Sequence, residues 1–116
     1  MNRKIFGTIA AFAIGGSAAL GVDCGEAPHA KLAIPNGDSA EAENIRVARV
    51  AVVAYSNEVD KYLTCMDGRA SRILPYLTKE QKIRWDEDLA ALHEKRREIQ
   101  TEMNLAIREF RKANRQ

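Results

Sequence analysis

Little in these 116 residues suits covalent chemistry. There are two histidines, two cysteines, one tryptophan and three prolines, and aromatic residues make up 6%. Glycine-rich phosphate loops, Gly-x-Ser-x-Gly elbows and His-Glu-x-x-His helices are all missing. Cys24, His29, Cys65 and His93 are metal-binding residue types, but their spacing matches no zinc motif. The acids Asp86-Glu87-Asp88 fan around a helix and cannot converge on one proton. The expectation is a protein that is not an enzyme, with no catalytic residue, no cofactor and no metal. The length allows one domain at most. Seven glycines and three prolines exclude collagen-like and low-complexity chains.

What is present begins with a leader. Met1-Asn2-Arg3-Lys4 is a short cationic start, and Ile5 to Leu20 follows without a charge. That run holds three glycines and falls short of the ~20 apolar residues a spanning helix needs. It reads as a cleaved export signal over residues 1–21, with small residues placing the cut after Gly21 or after Ala19. Asp23 before Cys24 is the wrong residue for a lipidated cysteine. Cleavage removes Arg3 and Lys4, which account for the net charge of +2, and leaves as many bases as acids. A neutral mature chain gives no reason to expect nucleic acid or stable membrane insertion, and no small-molecule substrate is evident. The expected location is periplasmic or secreted.

Residues 22–38 carry Pro28, Pro35, Gly25 and Gly37 and no helical period, so they read as an extended arm. Asn36-Gly37-Asp38-Ser39 reads as a turn into a helix, with Asp38 and Glu41 at capping-box spacing. From residue 39 to 74 the apolar residues Ile45, Ala48, Val52, Tyr55, Val59, Tyr62 and Met66 step by three and four. Pro75 ends that helix. Thr78-Lys79-Glu80-Gln81 is a second capping box, opening a helix over 79–114. Its seam runs Trp85, Leu89, Leu92, Arg96, Ile99, Met103, Ala106, Phe110 and Ala113. The seams mirror each other about Leu77, pairing Ile45 with Phe110, Val52 with Met103, Tyr55 with Ile99 and Tyr62 with Leu92. The fold class is all-α. Residues 39–116 form a long antiparallel two-helix, coiled-coil-like hairpin, each arm ~50 Å long. Arg96, facing Val59 with Glu58 and Tyr62 nearby, and Arg69, facing Trp85, are expected to reach the edge of the thin seam.

An oxidising compartment makes Cys24 and Cys65 a candidate disulfide. Cys65 lies ~39 Å along the first helix from Ser39, and the fifteen steps from Cys24 to Ser39 extend to at most ~50 Å. The arm reaches only by folding back along that helix, on a track through Ala51, Ala54 and Glu58. A bridge between two copies and, if export fails, free thiols are the alternatives.

The stretch Ile45 to Tyr55 is apolar nearly all round. Val47, Val50 and Val53 fall outside the seam, as do Leu105 and Ile107 on the second helix. This excess at the open end of the hairpin is the candidate interaction surface, for the arm, a second copy or a protein partner.

Leu77-Thr78-Lys79-Glu80-Gln81 resembles the Leu-Thr-x-x-Gln motif of the Spy/CpxP periplasmic chaperone family. That resemblance implies ATP-independent holding of unfolded clients on a dimeric cradle. The family normally carries two such motifs, and this chain has one. The pattern Cys24…Ile34-Pro35-x-Gly37…Tyr55…Tyr62-Leu63-x-Cys65 resembles small uncharacterised exported helical-hairpin proteins of Gram-negative bacteria, a likeness that implies no activity. The expected role is an exported, non-enzymatic hairpin acting by protein–protein contact in the cell envelope, with a Spy-like chaperone as the alternative.

Overall fold

The computed structural model describes residues 23–115. The stretch over 1–21 expected to be an export signal, with its expected cleavage sites, lies outside the described residues, as does Val22 at the start of the arm. Two long helices dominate: α1, Ala42–Ile73, and α2, Lys79–Ala113. A 3-10 turn over Leu74–Tyr76 joins them. Its tightness follows from Pro75, which cannot continue the helix ladder, and from the Leu77 N–H, which donates to the Leu74 carbonyl at 3.1 Å.

The start of α2 forms as expected. Thr78 Oγ1 accepts from the Gln81 N–H at 3.1 Å, and Gln81 Oε1 accepts from the Thr78 N–H at 2.9 Å. The start of α1 differs. Asp38 does not cap the helix. Its own N–H donates to Asn36 Oδ1 at 2.9 Å, and the Ser39 N–H donates to the Asn36 carbonyl at 3.2 Å. The turn thus consumes residues 36–39 and hands the chain on in a non-helical form. Glu41 becomes the cap residue, with its N–H donating to Asn44 Oδ1 at 3.0 Å.

The core is the expected seam. Ile45, Ala48, Val52, Tyr55 and Val59 of α1 bury themselves against Leu92, Ile99, Met103 and Ala106 of α2. Val59, at the middle, has no exposed surface. Toward the link the seam thins: Met66, Trp85 and Leu89 are only half-buried. Arg69 is half-buried as well.

The arm is extended, and a Cys24–Cys65 disulfide pins it, with the Cα atoms 5.8 Å apart. The bridge is within one chain, not between copies. Pro28, Ala30, Leu32 and Ile34 are half-buried, while Ala27, His29, Lys31 and Ala33 are exposed. That alternation is the period of an extended chain with one face against a surface. Ala30, Leu32 and Ile34 pack on the core, and the arm borders Asn44, Val47, Ala48 and Ala51 of α1. Ala51 on the expected track is half-buried, but Ala54 and Glu58 remain exposed, so the arm sits nearer the seam than that track. At the turn, Gly37 is buried against α2. A Cβ there would run into the Ala106 carbonyl oxygen and lie 2.9 Å from the Phe110 nitrogen, so only glycine fits.

Candidate interaction surface

Helical residues advance about 100° apiece, so a seam of threes and fours leaves the intervening positions outside. Four of the five residues expected on the open-end surface are well exposed: Val47 at 52%, Val50 at 58%, Val53 at 53% and Leu105 at 47%. Ile107 is the correction. It is half-buried and packs on the core, because the seam widens to meet it beside Met103.

The five do not form one patch. Val47 borders the arm. Val50 and Val53 lie together with Ala42, Ile45, Arg46 and Arg49 on α1. Val53 and Ile107 face each other across a groove between the helices, floored by Val52 and Met103. Leu105 stands two positions from Ile107, hence about 200° away, on the other flank of α2. Two exposed apolar residues went unseen in the sequence, Tyr76 at 85% and Ile83 at 48%. Both sit near the link. Tyr76 is inside the turn that Pro75 imposes, where no periodicity marks a side chain as surface.

The groove runs on toward the open end, where Ile45, Arg49, Asn104, Ile107, Arg108, Phe110 and Arg111 line it. No described residue of the arm borders it. Its polar lining is basic or neutral. Arg46 is paired with Glu43 at 2.5 Å, which holds the Glu43 carboxyl below its ordinary range. Arg49, Arg108 and Arg111 have no carboxylate within 4.0 Å among the described residues.

Farther along, the same flank is cross-linked. Arg96 reaches over the seam edge, its Nη1 donating to the Ser56 carbonyl at 3.4 Å and to the Asp60 carboxylate. The expected neighbour Glu58 instead lies 3.9 Å from Lys61. Gln100 Nε2 donates to Ser56 Oγ at 3.1 Å. These bonds join residues whose numbers mirror about the link, and so lock the register. Tyr55, buried in the seam, has a hydroxyl with no hydrogen-bond partner. Burial pushes its pKa up, and the nearby Arg96 pulls it the other way.

The remaining candidates divide simply. Cys24 and Cys65 are consumed by the disulfide. His29 is exposed, 3.7 Å from Glu26, and His93 is exposed on α2. Among the described residues no three ligating side chains cluster as a metal would need, and no helix is long and apolar enough to cross a membrane. The Leu77–Gln81 motif is occupied locally, with its Thr and Gln bonded to the backbone of their own helix. No protein-family model matches the chain, and neither a curated protein nor a solved structure matches it.

Proposed function

We propose that this chain is an exported, non-enzymatic helical hairpin that acts in the cell envelope through protein–protein contacts. The observation that carries the reading is the exposed apolar surface at the open end, where Val47, Val50 and Val53 each keep more than half their area in solvent. Exposed Val50 and Val53 side by side on α1, while the arm fills a neighbouring groove, are the mark of a contact surface. Export rests on the Arg3-Lys4 start with its uncharged run. A disulfide suits an oxidising compartment.

The test has two parts. The full chain, expressed in a Gram-negative host, is fractionated and weighed. A periplasmic product cut after Ala19 or Gly21 is expected; an uncut chain with free thiols overturns export. A photo-crosslinking residue is then placed at Val50 or at Lys95, an exposed position on α2. Protein adducts from Val50 and none from Lys95 are expected, and equal yields remove the open end as the contact. Suppression of client aggregation at stoichiometric ratios by the purified protein would move the role to a Spy-like chaperone.

A further inference from the structure

We infer that the bare groove between α1 and α2 receives an extended, acidic segment of a partner protein. The inference rests on the protein-contact reading above and names the partner's chemistry. The molecule already shows how this hairpin holds an extended chain. Its arm lies along one flank of the seam and turns Ala30, Leu32 and Ile34 inward at alternate positions. The opposite flank offers a comparable groove that no described residue of the arm enters, floored by Val52 and Met103 and walled by Val53 and Ile107.

Three features of that groove select the occupant. The first is charge. Arg49, Arg108 and Arg111 rim its open end, all three exposed and without a carboxylate partner among the described residues. A carboxylate docked there gains charge-assisted hydrogen bonds at no cost to an existing ion pair. The second is the amide side chains. Asn57 and Asn104 stand exposed along the groove. An extended backbone needs partners for its N–H and C=O groups, and two amides supply both. A helical segment satisfies its own backbone and would leave them idle. The third is symmetry. A second copy docked about an axis through the open end would set the arginine cluster against itself, and one docked about the middle of the groove would bring it no carboxylate, because the groove's polar lining is basic or neutral. A flat anionic membrane would touch the rim but not the floor.

Phage-displayed random peptides panned on the oxidised mature protein test this directly. Selected peptides are expected to carry Asp or Glu at one end and apolar residues at alternate positions. Their affinity, read by fluorescence anisotropy, should fall at least about 100-fold in an Arg49→Glu, Arg108→Glu, Arg111→Glu variant and weaken as salt rises. Circular dichroism of that variant checks that the exposed substitutions leave the hairpin folded. Val53→Ser should weaken the same peptides without changing their preference for acids. Peptides that bind the charge-reversed variant equally well overturn the groove but leave the protein-contact reading standing, above all if Val50→Ser abolishes their binding. A panning that enriches nothing overturns both. A dimer by sedimentation that acidic peptide does not dissociate assigns the groove to a second copy. Binding to phosphatidylglycerol vesicles, with no acidic peptide selected, assigns it to lipid. Either result rejects the inference.

Discussion

Tyr55 puts a hydroxyl where nothing bonds it. An unmet buried polar group costs about 1–3 kcal/mol, so Tyr55→Phe is expected to raise stability by about 1 kcal/mol in urea unfolding. A loss of stability would reveal a partner for the hydroxyl. The same residue sets a pH dependence. Its folded pKa is raised by burial, so its contribution is intact below the ordinary tyrosine value of about 10 and is lost as pH climbs past it. Stability should fall from about pH 10 upward in the wild type and less steeply in Tyr55→Phe. A second pair of residues tests the register. Leu92 is buried in the seam and Leu105 is 47% exposed. Leu92→Ala should cost about 2–3 kcal/mol, at the low end for a core leucine because a thin seam can partly collapse. Leu105→Ala should cost under about 0.5 kcal/mol. Equal losses in chemical denaturation would mean that a partner or a second copy covers Leu105.

At the scale of elements, what the sequence made legible followed from whether local chemistry and tertiary fit agreed. The seam was legible because every third or fourth residue from Ile45 to Phe110 obeys one period, and Pro75 with Thr78–Gln81 fixes the turn between. The start of α1 was not. Asp38–Glu41 and Glu41–Asn44 share the same spacing, and local rules cannot rank them. The choice is made by Gly37, whose close approach to the backbone of α2 commits residues 36–39 to a turn. The arm carries a second signal of its extended form: Ala30, Leu32 and Ile34 alternate with His29, Lys31 and Ala33, a period of two. That Val47 borders the arm while Val53 and Ile107 face an arm-free groove was invisible, because it depends on which flank the arm takes. The arm is also where the disulfide acts. Closing a loop of 41 residues is worth about 4 kcal/mol in the chain-entropy model. A Cys24→Ser, Cys65→Ser variant should therefore lose about 4 kcal/mol in urea unfolding, and trypsin should cut it faster at Lys31. Unchanged proteolysis would mean that Leu32, Ile34 and Gly37 hold the arm without the bridge.

Across the whole molecule, burial is lopsided. Among the described residues every buried helical residue lies between the open end and the middle, from Ile45 to Val59 and from Leu92 to Ala106. Half-buried Met66, Trp85 and Leu89 carry the link half, which the described residues of the arm do not cover beyond the Cys24–Cys65 bridge. A two-helix pair cannot enclose its seam from all sides, so a third chain segment is needed to complete a core. The arm supplies that third segment over one half only. Local stability follows contact with the core, so the two halves should open at different free energies. Native-state hydrogen exchange gives the measure. Amides of 48–59 and 92–106 should exchange only by global unfolding, with a steep dependence on denaturant. Amides of 67–73 and 82–89 should open through a smaller unfolding, with a shallow dependence and faster exchange. Cys65 marks the boundary on α1, since the bridge ties that turn to the arm and the arm to the buried half. Equal protection and equal denaturant slopes along both helices would mean that the hairpin unfolds as one unit and that the thin link half is held by something other than its seam.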